Sequence, residues 1–208
     1  MNASYIPIIG IDRLRMATDG TGVRTLIGTY GCTLRCKYCL NPQSWNGHSK
    51  PLLYTPEQLY DKVRIDNLYF QATGGGLTIG GGEPLLYMPA IEKFAALCPD
   101  TWSLWAETAL NVNQALVTKA SAVFQHFIVD IKTTDAAIYK DYAGKEITQA
   151  FENLLYLKSL IGAERITVRV PVIPGYADSA KQQESANYLS SLGFTDIDTF
   201  TYRTDIQK

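Results

Sequence analysis

Ile166-Thr167-Val168-Arg169-Val170-Pro171-Val172 is a β-branched run with one guanidinium inside it. Side chains alternate along a strand, so Ile166, Val168 and Val170 face one way and Thr167 and Arg169 the other. Covered parallel strands read as continuous apolar runs, so an arginine here needs an anionic partner. The partner is either an internal carboxylate or a ligand carboxylate or phosphate, which suits the arginine fork. Ile128-Val129-Asp130-Ile131-Lys132 repeats the pattern. Asp130 and Lys132 are two apart, hence on one face at the end of a strand. The run 102–107 ends likewise, in Glu107 followed by Thr108. Three strands that end in charge point to a polar site at one end of the sheet.

Working outward, strands are predicted at 23–29, 77–79, 102–107, 127–131, 165–172 and 197–202. Helices are predicted at 88–97, 112–120, 151–160 and 179–192. Another helix begins at Thr55-Pro56-Glu57-Gln58, with Thr55 as N-cap, Pro56 at the first helical position and Gln58 completing a capping box. Leu59 and Val63 share one face of it. About six βα units imply parallel strands with helices outside. They fall short of the eight units and ~250 residues of a closed barrel. The fold expected is α/β, a partial (β/α)6 barrel of parallel strands with outer helices, or else a curved doubly wound sheet. Ligands in either sit at the C-terminal ends of the strands.

The chain has 208 residues, which suits one domain spanning all of it, with room for a core that needs no disulfides. Hydrophobic residues make up 46% and charged residues 19%, which excludes disorder. Nineteen basic and twenty acidic residues give a net charge of −1, which argues against a nucleic-acid-binding surface. No apolar run approaches the ~18 residues of a membrane span, and Met1-Asn2-Ala3-Ser4 shows no signal pattern. A cytoplasmic protein with no membrane partner is expected.

Four cysteines remain. Cys32, Cys36 and Cys39 form C-x3-C-x2-C directly after the first predicted strand, and Cys98 stands alone. Dense cysteines in a cytosolic domain read as metal binding or catalysis. Three thiolates can hold three irons of a [4Fe–4S] cube and leave the fourth open to a ligand. The alternative is a Cys3His zinc site that recruits His48. Cys98, at a predicted helix end, reads as a buried hydrophobe.

C-x3-C-x2-C with Tyr38 before the third cysteine resembles the radical S-adenosylmethionine superfamily. Gly80-Gly81-Gly82-Glu83-Pro84, after the second predicted strand, strengthens the likeness. Asp19-Gly20-Thr21-Gly22-Val23-Arg24, Asp130-Ile131-Lys132, and Arg169 with Ile173-Pro174-Gly175 complete a set similar to the glycyl radical enzyme activating enzymes. The likeness runs over residues 18–202 and rests on the order and spacing of the motifs.

The resemblance implies one [4Fe–4S] cluster on Cys32, Cys36 and Cys39, with S-adenosylmethionine chelating the open iron. It implies Tyr38 and Leu40 near the adenine, mostly through backbone. Gly81, Gly82 and Glu83 would border the amino group. Asp130, Lys132 and Arg169 would surround the sugar and methionine portions, and Phe200 would pack on the adenine. It implies reductive cleavage to methionine and a 5′-deoxyadenosyl radical, with an electron from flavodoxin or ferredoxin. That radical takes hydrogen from a glycine of a partner enzyme, whose loop Asp19 would help hold unless it is an ordinary turn aspartate. Two other readings stand beside this one. One is a radical S-adenosylmethionine enzyme acting on a small molecule or peptide; the other is a cluster protein without radical chemistry. The chain also departs from the family pattern. Leu40 replaces a frequent histidine, Tyr202-Arg203 a frequent Tyr-His, and Glu107-Thr108 an Asp-Thr pair associated with a monovalent cation. The stretch 41–72 holds no extra cysteines, so a single cluster is expected.

Overall fold

The computed structural model describes residues 4–16 and 18–202. Two strands come first, β1 (Ile6–Arg15) and β2 (Arg24–Thr29), and the cysteine loop follows β2. The short strand β3 (Leu52–Tyr54) leads into α1 (Pro56–Val63) and α2 (Asn67–Thr73). Strand and helix then alternate: β4 (Gly76–Gly81), α3 (Met88–Ala95), β5 (Ser103–Thr108), α4 (Gln114–Val123) and β6 (His126–Asp130). The helices α5 (Ala136–Ala143) and α6 (Thr148–Ile161) precede β7 (Ile166–Val172), and α7 (Ser179–Ser191) precedes β8 (Asp196–Thr201).

Among the described residues the strands form one open sheet in the order β3-β1-β2-β4-β5-β6-β7-β8. The pairs from β2 to β8 are all parallel, the expected partial barrel. The antiparallel edge of β1 and β3 was not anticipated. Its signal lies in the alternation of Ile6 and Ile8, which are buried, with Pro7 and Ile9, which are less so. It escapes a βα reading because no helix separates β1 from β2. Helices α2 and α5 were also not anticipated; each is short, with 7 and 8 residues. The capping box of α1 forms as read: Thr55 Oγ1 accepts from the Gln58 N–H at 3.2 Å, and Gln58 Oε1 accepts from the Thr55 N–H at 3.0 Å.

The alternation read in β7 also holds. Ile166, Val168 and Val170 are fully buried under the helices, each contributing roughly 1.5–3 kcal/mol by transfer from water. Thr167 and Arg169 point to the concave side. In register, Asp130 lies opposite Arg169, and Arg169 opposite Asp198. The sheet therefore gathers its charges into one concave layer. A main core fills the space between sheet and helices. A second core of Leu34, Tyr139, Tyr142, Ala143, Ile173 and Ala177 lies against the cysteine loop. No described helix is long and apolar enough to cross a membrane.

Candidate active site

The cysteine loop is fixed at both ends by backbone hydrogen bonds. Gly31 opens it at φ +87°, and its N–H donates to Ser44 O at 2.6 Å. The C-terminal carbonyls of α5 take the middle: Ala143 O accepts from Arg35 N–H at 2.9 Å and Tyr142 O from Lys37 N–H at 3.1 Å. Carbonyls at a helix end lack intrahelical partners, so the loop satisfies them. The helix missed from sequence is thus the support of the predicted site. Inside the loop, the Leu34 N–H donates to Cys32 Sγ at 3.4 Å.

The glycine turn after β4 packs directly on this loop. Gly81 has φ +84°, and a Cβ on Gly82 would stand 2.2 Å from Gly31 O. Only glycine fits where two backbones approach this closely. The Glu83 N–H donates to Gly31 O at 2.7 Å. The Glu83 carboxylate is buried and turned inward. It accepts from the Thr108 hydroxyl at 2.7 Å, the Ala109 N–H at 3.1 Å and the Leu85 N–H at 3.2 Å. It ties the glycine turn to the end of β5. Burial pushes its pKa up to about 7, against the pull of those three donors.

Cys32, Cys36 and Cys39 line one cavity of about 860 Å³ with Leu40, Gly81, Gly82, Glu83, Asp130, Lys132 and Arg169. The structure thus brings together every predicted site residue except Tyr38. That ring packs instead on Tyr142 and Tyr176, with centroids 6.1 and 5.9 Å away. Asp19, Glu107, Phe200 and Tyr202 line the same cavity. Arg203 lies outside the described residues. Asp198, not singled out from sequence, joins them; its signal was its place two residues before Phe200, on the same face of β8.

The charges are paired. Arg169 donates to Glu107 Oε1 at 2.5 Å, to Asp198 Oδ2 at 3.2 Å and to Thr18 O. Burial pulls its guanidinium down, but Glu107, Asp130 and Asp198 together carry it above its ordinary value. Lys132 donates to Asp130 Oδ2 and to the Tyr202 hydroxyl, both at 2.7 Å. Burial opposes its charge, but Asp130 together with Tyr202, Cys36 and Tyr142 carries its pKa above the ordinary value, so Lys132 stays protonated. Asp19 is buried and bound by Arg15, at 3.3 Å from Nη2 to Oδ1, so it is no ordinary turn aspartate.

Arg24 closes the floor. Its Nε donates to Thr78 Oγ1 at 2.7 Å, and its Nη2 to Leu77 O and Ser103 O at 2.5 and 2.8 Å. It lies 4.7 Å from the centroid of Trp105. Burial lowers its pKa to about 10. Its partners are carbonyls, a hydroxyl and a π face, so it braces the interior.

The donor set fits an iron–sulfur cluster. Burial, then Glu83, pushes the Cys32 thiol up to about 12, and burial raises Cys36 too. Thiols so placed lose their protons to a metal centre rather than to water. Among the described residues no three His, Cys, Asp or Glu side chains converge as a single metal ion requires. Cys98 lies apart; its thiol donates to Phe94 O at 3.4 Å in α3.

The model of the radical SAM superfamily matches residues 26–182. The pyruvate formate-lyase-activating enzyme of Staphylococcus aureus is 31% identical over 170 residues, which cover 77% of this chain and 66% of that relative. Solved structures share the fold. Streptococcus suis SuiB bound to precursor peptide SuiA superposes with a TM-score of 0.66 at 12% identity, over 86% of this chain and 38% of that one. A domain of pyruvate-formate lyase-activating enzyme from Bacteroides vulgatus gives 0.50 at 23% identity, over 62% of this chain and 81% of that domain. With three thiols beside a glycine turn on an open parallel barrel, and a family match over most of its length, the chain belongs to the radical SAM superfamily.

Proposed function

We propose that this chain is an activase, a single radical SAM domain over residues 1–208 that generates a glycyl radical on a partner enzyme in the cytoplasm. The observation that carries the reading is the convergence of Cys32, Cys36 and Cys39 with Gly81, Gly82, Asp130, Lys132 and Arg169 on one cavity. The likeness to a pyruvate formate-lyase-activating enzyme supports the choice of substrate.

Cys32, Cys36 and Cys39 would hold one [4Fe–4S] cluster, and three thiolates would leave room for S-adenosylmethionine to bind it. Such a cluster, reduced by flavodoxin or ferredoxin, would supply the electron for reductive cleavage of S-adenosylmethionine, the chemistry that would lead to a glycyl radical on the partner. The chain's part is placement. Gly81 and Gly82 let the ligand amino group approach backbone. Lys132 and Arg169, held by Asp130, Glu107 and Asp198, present fixed charge to a zwitterion. Leu40 and Phe200 flank the adenine.

Anaerobic reconstitution tests this. Reduced protein with S-adenosylmethionine should release 5′-deoxyadenosine, and a glycyl radical enzyme incubated with it should show the radical by electron paramagnetic resonance. Release without a glycyl radical on candidate partners favours an enzyme acting on a peptide or small molecule. The fold shared with SuiB, solved with its precursor peptide, is the observation behind that second reading. No release at all leaves a cluster protein without radical chemistry.

A further inference from the structure

The second core contains two hydroxyls that the fold does not explain, those of Tyr139 and Tyr142. Tyr139 lies on α5, fully buried, and its hydroxyl has no hydrogen-bond partner among the described residues. Buried polar groups are nearly always paired, and each exception calls for a reason. Phenylalanine would fill the same space without that cost, so packing alone gives no reason for the hydroxyl. Its neighbours suggest one. Leu34 shares its core, and Cys32 and Cys36 pack against that core. The Arg35 and Lys37 amides bond to the end of α5, which fixes the distance between Tyr139 and the cysteine loop. Thr33, inside the loop, carries a further buried hydroxyl without a partner among the described residues.

We propose that Tyr139 donates an O–H···S hydrogen bond to the cluster, as a positioning residue that eases its one-electron reduction. This rests on the cluster reading above. A tyrosine hydroxyl, with an ordinary pKa of about 10, is a neutral donor at physiological pH. Reduction adds one electron to the cluster and its sulfurs take up much of the charge. A hydroxyl donor that reaches them stabilises the reduced form more than the oxidised form. The electron comes from the external donor, and no proton leaves Tyr139.

The test compares wild type with Tyr139→Phe, both reconstituted anaerobically, in a redox titration followed by electron paramagnetic resonance without S-adenosylmethionine. The variant's midpoint should fall, so that its reduced-to-oxidised ratio at the wild-type midpoint drops about tenfold, equivalent to about 59 mV for one electron. Equal midpoints at equal iron content overturn the proposal. The apo proteins give a second readout. Apo Tyr139→Phe should melt at or above wild type, because an unpartnered hydroxyl has been removed. A clear drop would show that the hydroxyl serves the fold, which also overturns the proposal. A wild-type chain that takes up no iron overturns the cluster reading itself.

Discussion

Arg169 on β7 reaches across β6 to bond Glu107 on β5, at 2.5 Å from Nη1 to Oε1. The arginine that sequence reading left between an internal salt bridge and a ligand clamp is therefore internally paired first. Two side chains thus join β7 to β5, and a second carboxylate, Asp198, holds the guanidinium from β8 at 3.2 Å. The pair is mostly shielded from water, with side-chain exposures of 13% and 24%.

Removing one partner of such a pair strands the other. Glu107→Gln should cost roughly 1–3 kcal/mol in urea unfolding of the apo protein. Arg169→Met should cost a similar amount, and the double variant clearly less than the sum. Additive losses would mean that the two side chains act independently.

Glu83 gives a pH signature. Its carboxyl is raised from 4.5 to about 7 by burial, so the folded state holds the proton more tightly than the unfolded chain does. Its contribution is complete below pH 4.5, is lost as pH rises through about 7, and changes no further above that. Against Glu83→Gln, wild-type apo protein should lose roughly 3 kcal/mol across that window. A difference that is flat with pH would show that Glu83 stays ionised when buried.

Much of this was legible in the sequence because the physics is local. The capping box of α1, the apolar alternation of β7 and the glycine turn each depend on a few neighbouring residues. The charged strand ends were legible too, since Asp130, Lys132 and Arg169 break an apolar pattern. What was not legible depends on distant pairing. β1 lies beside β2 antiparallel, outside the βα rhythm, and its register shifts between Ile8 and Gly10. α5 is a single short helix, and its role arises only because its last carbonyls meet Arg35 and Lys37 across more than a hundred residues. Tyr38 was read near the ligand mostly through its backbone; what the motif did not show is that its ring packs on Tyr142 and Tyr176.

The glycine turn makes a steric prediction. A Cβ at Gly82 meets the carbonyl oxygens of Gly31 and Thr29 at 2.2 and 2.8 Å, and both are backbone. Gly82→Ala should therefore destabilise the apo protein by roughly 2–4 kcal/mol and reduce iron uptake, since the turn and the cysteine loop must part. Gly10→Ala, with nothing within 4 Å of its Cβ, should change stability little. Thermal melting and iron assay on both variants decide it.

The cysteines should separate by function rather than by burial. Cys36→Ala removes a half-buried thiol and should leave apo melting near wild type, yet abolish iron retention and S-adenosylmethionine cleavage. Cys98→Ala also removes a thiol that burial pushes up to about 12, and should retain the cluster and full cleavage. Iron, sulfide and 5′-deoxyadenosine are measured side by side. Retained cleavage in Cys36→Ala would sink the ligand assignment.

A residue outside the cavity lining should reach it through α5. Asp135 caps that helix, its Oδ1 accepting from the Ala137 and Ile138 N–H groups, both at 3.1 Å. Asp135→Ala removes the cap and should cost about 1 kcal/mol of stability. In an ordinary surface helix the effect would end there. Here the opposite end of the same 8-residue helix supplies the carbonyls that hold Arg35 and Lys37. A helix this short depends on its cap and its docking together. The loss should therefore appear as faster amide exchange at Arg35 and Lys37, as well as within α5. Hydrogen exchange of the apo protein measures both segments at once. Faster exchange in α5 with an unchanged cysteine loop would show that Gly31 and the glycine turn hold the loop without the helix.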